Sequence, residues 1–416
     1  MRILLIAPKC YPVNGAEAIV NIKLLRAMTE DGNFEVDLIS RRNSMIDYPS
    51  DSLESYGVKL RGLYVIDNKG GFNLKVLWET IRSLFIFKAA FPGCHWAVRA
   101  LPLVKKLARE NHYDFVLTKN SPSLLLASYL KKRNNMKWVA SWNDPYPPSF
   151  YPAPYGKGVS HNPSLWEYLQ LRLMRLADYH VFPSRALKDH MVKYLHVCNE
   201  KCQVAPHVVF EEKNGVHPIP RRVNNKGALT IIHSGNLEAP RDPIPFINAF
   251  RRIIRTRPEG MIHLTLLGKL GTKEKVYIEN ASELKHCVEI VSTVEYKKSL
   301  EILNEHDVAC VIEADCGVGG GVFLPTKVTD FMQMHKPILA VSPRKGVLED
   351  LYNDGAIGYF SDIHNEETIY QALLKIIDDY SNNALINSSI PDSFRPKSVV
   401  SVYKEIYYQI KSQQPH

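Results

Sequence analysis

The densest chemistry in the chain is the run Gly317-Val318-Gly319-Gly320-Gly321-Val322-Phe323-Leu324-Pro325-Thr326-Lys327-Val328-Thr329-Asp330. A glycine-rich loop enters a helix start at Pro325-Thr326, where free backbone N–H groups and the helix dipole favour a phosphate. Lys327 adds a cation, and Asp330, one turn on, is placed to accept hydrogen bonds from ribose hydroxyls. A solvated flexible loop is the competing reading; four glycines at 317, 319, 320 and 321 beside Pro-Thr-Lys weigh against it. A second run, Ile231-Ile232-His233-Ser234-Gly235-Asn236-Leu237, reads as a strand ending in a Ser-Gly turn, with Arg241 six residues past the glycine. A guanidinium there suits a diphosphate, which it grips through two parallel hydrogen bonds. A surface arginine paired with Asp242 is the alternative. A third turn, Pro12-Val13-Asn14-Gly15-Ala16-Glu17, again puts a glycine before a helix N-terminus, and a plain strand-to-helix turn fits it as well. The chain has no G-x-G-x-x-G and no P-loop, which disfavours a simple dehydrogenase or NTPase.

These turns need strands and helices to hold them. Ile3–Ala7 reads as a buried strand, Ala16–Met28 as a helix and Glu35–Ile39 as a strand, so the chain opens with a βαβ unit and a parallel sheet. Short apolar runs at Phe115–Thr118, Trp138–Ser141, Tyr179–Phe182 and Cys202–Ala205 continue the rhythm. It restarts after a polar stretch with Leu229–His233, a helix near Pro245–Arg257, and strands at His263–Leu267, Val288–Val291, Val308–Ile312 and Ile338–Val341. A last helix is expected at about Ser398–Lys411. The simplest account is an α/β protein of two doubly wound domains: residues 1–210, a linker at 211–227, and residues 228–395, with the helix of 396–416 returning to the first domain.

Composition bounds the rest. The 416 residues are 45% hydrophobic and 23% charged, as in soluble globular proteins. The seven cysteines are scattered, and Cys198 and Cys202 stand close together with no second pair or His cluster to complete a zinc site. We expect a reduced, cytoplasmic protein. We expect no signal peptide, because the apolar run of Met1–Ala7 ends at Pro8-Lys9 and is too short for such a peptide's apolar region, and no apolar run is long enough to span a membrane. Charge is unevenly spread. Residues 1–205 hold 28 Lys+Arg against 17 Asp+Glu, and residues 206–416 hold 24 against 26. A net +11 half beside a −2 half points to an anionic partner for the first half.

With the motifs in order, the chain resembles the family 4 glycosyltransferases of the GT-B fold. Leu324-Pro325-Thr326-Lys327-Val328-Thr329-Asp330-Phe331-Met332 followed by Lys336-Pro337-Ile338-Leu339-Ala340 is similar to that family's donor-binding signature. The Ser234-Gly235-Asn236-Leu237 turn with Arg241 resembles its phosphate-binding turn. Trp138-Val139-Ala140-Ser141-Trp142-Asn143-Asp144-Pro145-Tyr146 is similar to a Trp-x-Ala-Asp-Phe-Arg-Asp-Pro-Trp motif of members that build extracellular polysaccharides, and Ala177-Asp178 and Ser184 also match.

The resemblance implies two Rossmann-like domains with a cleft between them and a C-terminal helix crossing back. It implies a nucleotide-sugar, a UDP-sugar by preference, held by Gly15, Gly235, Asn236, Arg241, Gly268, Lys269, Pro325, Thr326, Lys327 and Asp330. It also implies transfer with retention of configuration, aided by the donor's own phosphate, with no cofactor and no metal. No Asp-x-Asp string occurs in the chain. Asp144 and Glu313 are the catalytic candidates. Asp144 would orient the acceptor hydroxyl or a sugar group, with a turn-capping aspartate before Pro145 as the alternative. Glu313, or Asp315, would replace a family glutamate, because counting back from Asp330 places Val322 there. Asn236 stands where many members carry Arg, and Asn143 where the polysaccharide motif does.

The expected acceptor is a polyprenyl-diphosphate-linked saccharide or a growing surface glycan, as in exopolysaccharide, capsule or O-antigen assembly. Two alternatives stay open: an epimerase or hydrolase acting on the nucleotide-sugar, and a non-catalytic glycan- or membrane-binding relative. Nucleic acid is disfavoured, since the basic half carries no recognisable module. Leu74–Glu110 mixes Trp78, Phe85, Phe87 and Trp96 with Lys75, Arg82, Lys105, Lys106 and Arg109, a composition that suits helices lying on the inner face of the plasma membrane. Helices packed on the sheet with solvated lysines are the alternative.

Overall fold

The computed structural model describes residues 1–42, 52–68, 74–211, 227–257 and 260–412. Two compact units emerge: Met1–Tyr151 with Lys157–Val208 and Asp392–His416, and Pro152–Gly156 with Val209–Pro391. All but the two ends of the expected linker, 211–227, lie outside the described residues, as do positions 413–416 of the last helix.

In the first unit the order is β1 (Arg2–Ile6), α1 (Ala16–Glu30), β2 (Glu35–Arg42), β3 (Gly62–Asp67), α2 (Leu74–Phe87), α3 (Cys94–Glu110), β4 (Phe115–Lys119), α4 (Ser123–Asn134), β5 (Trp138–Ser141), α5 (Leu165–Met174), β6 (Tyr179–Phe182), α6 (Arg185–Leu195) and β7 (Cys202–Val204). The strands form one sheet in the order β3-β2-β1-β4-β5-β6-β7. Its ladders are parallel throughout. A parallel strand covered by helices on both faces is buried along its length and largely apolar, polar residues falling at its end. Accordingly β4, Phe-Val-Leu-Thr-Lys, and β5, Trp-Val-Ala-Ser, are buried at every residue. The edge strand β3 was not anticipated. Its side chains alternate between half-buried and exposed, and the outward positions include Leu63 and Val65, so it lacks the buried run that marks its neighbours.

In the second unit β8 (Leu229–Ser234), α7 (Ile244–Thr256), β9 (Ile262–Leu267), α8 (Thr272–Glu279), β10 (Val288–Val291), α9 (Tyr296–Asn304), β11 (Val308–Ile312), α10 (Thr326–Gln333), β12 (Ile338–Ser342), α11 (Val347–Asn353), β13 (Tyr359–Asp362) and α12 (Glu366–Ser381) follow. Six parallel strands run β10-β9-β8-β11-β12-β13. The short, half-polar edge strand β13 was also unforeseen. Phe246, Phe250 and Ile253 of α7 and Ile369, Leu373 and Ile376 of α12 seal one face of this sheet.

The last helix, α13 (Pro396–Ser412), belongs to the first unit. Lys404 pairs with Asp31 after α1 at 2.7 Å, and Lys411 with Asp114 before β4 at 3.0 Å. Tyr403 is buried, its hydroxyl 3.5 Å from Ser141 Oγ.

Each sheet has one point where neighbouring strands continue in opposite directions. In the first it lies between β1 and β4, and in the second between β8 and β11. The loops leaving such strands diverge and open a crevice at their carboxyl ends, where open α/β sheets bind ligands.

Candidate active site

The crevice of the second unit is built by two glycine turns and three charged side chains. Gly235, just past β8, and Gly268, just past β9, have φ of 134° and 133°, a region that favours glycine. They also pack without room for side chains. A Cβ on Gly268 would lie 2.6 Å from the Gly235 carbonyl, and one on Gly235 would lie 1.1 Å from Lys327 Nζ. The Lys327 ammonium therefore rests against bare backbone. The ladder continues through these turns: Gly235 N–H donates to Leu267 O at 2.6 Å, Leu237 N–H to Lys269 O at 2.8 Å, and Lys269 N–H to Asn236 Oδ1 at 3.2 Å. Asn236 thus fixes the turn, while the Lys269 side chain is exposed.

Glu313 follows β11 directly and is 8% exposed. Its carboxylate is 3.5 Å from Arg241 Nη2. Asp242 does not pair with Arg241; it accepts from the Ile244 N–H at 2.9 Å in the turn before α7. Lys327 lies in the first turn of α10, after Pro325 at the cap and Thr326. Two cations thus share one buried carboxylate, and each feels the other. Burial, then the Arg241 charge, lowers the Lys327 ammonium to about 8, against the pull of Glu313 and Asp330. Burial raises the Glu313 carboxyl while Arg241 and Lys327 hold it down. His233, buried at the end of β8, is kept neutral by burial and by Lys327 and Arg241. The Arg241 Nε–H is buried with no hydrogen-bond partner among the described residues. A buried donor without a partner, beside two cations that crowd each other, suits an anion.

Asp330, on α10, is 7% exposed and accepts a 2.8 Å hydrogen bond from the Tyr296 hydroxyl at the start of α9. Tyr296 was missed in the sequence, because only the fold carries α9 to α10.

One expectation needs correction. The glycine-rich loop is not an open cradle. Gly317 N–H donates to Asp315 Oδ1, Gly319 to Arg344 O, Gly320 to Gly317 O and Val322 to Gly320 O, all within 3.0 Å, so these groups close the loop on itself. A Cβ on Gly320 would strike the Cys316 carbonyl at 1.9 Å, and one on Gly346 the Gly321 carbonyl at 2.7 Å, so Gly320 and Gly346 are there for packing. Of the two acidic candidates, Asp315 is exposed and engaged with Gly317 and His364, whereas Glu313 faces Arg241. Val322, at the position counted back from Asp330, is buried.

Gly15 and Asp144 lie in the other unit, at the ends of its β1 and β5. Gly15 (φ 82°) precedes α1, and its carbonyl accepts from Ala18 and Ile19. Glu17, in the first turn, pairs with Lys9 at 2.8 Å and accepts from Asn120 Nδ2 at 2.6 Å. Asp144 is half-buried, and burial and then its charge raise the Tyr151 phenol well above its usual range. The sequence reading also passed over Lys119. It ends β4, is 5% exposed, donates to Asn143 Oδ1 at 3.3 Å, and is lowered to about 8 by burial against the attraction of Glu17 and Cys10. A lysine closing a wholly buried strand was the available signal. With Ser141, Asn143, His207 and Tyr403 it lines a pocket with room for about one water.

Residues 14–213 match the family model described as Glycosyltransferase Family 4. No curated protein matches the chain. Among solved structures, sucrose-phosphate synthase from Thermosynechococcus elongatus is 14% identical, covering 99% of this chain and all of that one at a TM-score of 0.65. A glycosyltransferase from Rickettsia africae is 14% identical over 99% of both chains, at 0.62. Anabaena Alr3699/HepE in complex with UDP is 15% identical over 99% of this chain and all of that one, at 0.61. At such identities the likeness is one of fold, and that fold is GT-B.

Proposed function

We propose that this chain, a GT-B protein of the glycosyltransferase family 4 type, is a retaining, metal-independent hexosyltransferase that moves a sugar from a UDP-sugar to a lipid-linked or polysaccharide acceptor. One observation carries the reading: Arg241 and Lys327 stand over a single buried carboxylate, against bare glycine backbone, at the switch point of the second sheet. Cations fixed in that way neutralise a diphosphate in the ground state and stabilise the extra charge that develops as the sugar leaves. The UDP bound by the structurally similar Anabaena protein supports the choice of nucleotide.

The roles follow from position. Arg241 donates to the diphosphate through its unspent Nε–H, Lys327 adds charge beside it, and the α10 N-terminus at Thr326 points at the same oxygens. Asp330 and Tyr296 hold the ribose hydroxyls. Glu313 accepts from the sugar hydroxyls, anchored by Arg241. Asp144 orients the acceptor, and the leaving phosphate takes its proton. The acceptor in this reading is a polyprenyl-diphosphate saccharide or growing surface glycan reached from the cytoplasm. The first test is a thermal-shift panel of nucleotides and nucleotide-sugars, since a ligand that binds only the folded protein raises its melting temperature. Selective stabilisation by UDP and one UDP-sugar, with UDP released in EDTA only when acceptor is present, is the expected result. Donor consumption without acceptor would mark an epimerase or hydrolase, and tight binding with no turnover a non-catalytic relative.

A further inference from the structure

Helix α2 is inside out. Its protein-facing side carries Glu79, Ser83 and Phe87, all buried, at a spacing of four. Glu79 is gripped by Arg99 of α3 through two hydrogen bonds of 2.8 and 2.7 Å, and Ser83 Oγ donates to Ala89 O at 2.7 Å. Phe87, expected on the outer face, packs edge-on against Tyr129 instead. The solvent side carries Leu74, Leu77, Trp78, Ile81, Leu84 and Phe85, of which Leu74 is 85%, Phe85 73% and Trp78 60% exposed. At 100° per residue these six share one stripe opposite the buried side. A surface helix ordinarily turns its apolar stripe inward; α2 uses polar pins to hold the stripe outward.

Charge names the occupant. Lys75 and Arg82 border the stripe, Lys88 follows it, and all three are exposed. The one acid of α2, Glu79, is buried and already neutralised by Arg99. Residues 74–110 hold seven Lys+Arg and two Asp+Glu. No helix among the described residues is long and apolar enough to cross a membrane. Aliphatic side chains, a tryptophan and a phenylalanine edged by cations match the boundary between headgroups and acyl chains of an anionic bilayer.

We infer that α2 is a membrane-docking element, whose Leu74, Trp78, Ile81 and Phe85 insert into an anionic lipid surface while Lys75, Arg82 and Lys88 engage its headgroups. The inference rests on the transfer reading only for its purpose, which is to hold the first unit beside a lipid-borne acceptor. It also moves the electrostatic contact away from Lys105, Lys106 and Arg109, which lie on α3.

The test is co-sedimentation of the full chain with vesicles of phosphatidylcholine, with and without phosphatidylglycerol. Binding to the anionic vesicles is expected, with a blue shift of tryptophan emission that Trp78→Phe removes. Trp78→Ser combined with Phe85→Ser should weaken binding about ten-fold or more. Lys75→Ser and Arg82→Ser should each weaken it about five-fold at low salt and little at high salt. Because these side chains are exposed, the variants should keep the wild-type melting temperature and UDP affinity. Vesicle binding that the Trp78/Phe85 variant leaves intact overturns the inference. So does a wild-type protein that ignores anionic vesicles, including one that forms a dimer which that variant dissociates. A protein that binds vesicles but no nucleotide keeps this inference and loses the transfer reading.

Discussion

The two switch points occupy the same place in two similar sheets, yet they carry different charged and polar groups. At the second, Arg241 and Lys327 crowd together beside Glu313, with Asp330 one turn along α10, and glycines strip the walls to backbone. At the first, Lys119 sits deep beside Asn143, while Glu17, paired with Lys9, and Asp144 hold the more open positions. In the proposed reading the former takes an anion that brings two or more charges. In the proposed reading the latter offers carboxylates and amides to neutral hydroxyl groups, and its buried cation feels Glu17, which Lys9 also pairs. Topology alone therefore does not set the ligand; the sign of the uncompensated charge at the strand ends does.

The sharpest way to break this contrast is to fill the glycine wall. Gly235→Ala puts a methyl group where Lys327 Nζ now lies, on a backbone whose φ of 134° already disfavours it. It should displace Lys327 and disturb the turn that positions Arg241. Loss of two charge-assisted hydrogen bonds, at about 1.5–3 kcal/mol each, predicts UDP binding weakened at least about 100-fold. Calorimetric titration with UDP measures it, and an unchanged affinity in a folded variant would remove the anion site from this crevice. Arg241→Ala should cost less, about 10-fold or more, since Lys327 and the α10 N-terminus remain. The same truncation frees Glu313, so turnover should fall further than binding does.

Much of this contrast was legible in the sequence. Gly235, Arg241, Thr326, Lys327 and Asp330 stood out because each follows a strand or opens a helix, and a strand's carboxyl end can be read from an apolar run stopping at Ser-Gly. Tyr296 could not be read, because its value comes from α9 reaching α10 through the fold. The glycine-rich loop misled for a related reason. Glycine frequency reports that backbone comes close to something, and here that something is the loop's own carbonyls and Gly346. In α2 the periodicity was visible, but the side facing the protein was not. A 3.6-residue pattern defines two faces, and the Glu79–Arg99 pair decides which one turns inward.

Proton linkage sharpens the comparison further. In the free protein Lys327 titrates near 8, and a bound diphosphate must raise that value. UDP binding should therefore take up a proton above about pH 8, and affinity should fall as pH rises. A weakening of about 3–10-fold between pH 7.5 and 9 is expected, with protons taken up detected by calorimetry in buffers of different ionisation enthalpy. Lys327→Met should abolish both effects. A pH-independent affinity in the wild-type protein would mean that Lys327 stays charged with the site empty, contrary to its burial.

Lys119 supplies the smallest and most discriminating measurement. It too is lowered to about 8, but no diphosphate reaches it in this reading. Its folded pKa lies below the unfolded value of about 10.4, so between these limits the unfolded chain binds more protons and stability rises with pH. Below pH 8 the ammonium is charged in both states, and the folded protein bears the full cost of burying it. Lys119→Met should therefore be more stable than wild type at pH 7.5, with the gap narrowing by about 2 kcal/mol by pH 9.5. Taking the difference between the two proteins cancels the buried thiols and phenols that titrate in the same range. Urea denaturation across that interval reads the gap, repeated with saturating UDP. The nucleotide should leave the Lys119 term untouched and suppress the corresponding Lys327 term. If UDP flattened both, one anion would be reaching both lysines, and the division of labour between the two switch points would fail.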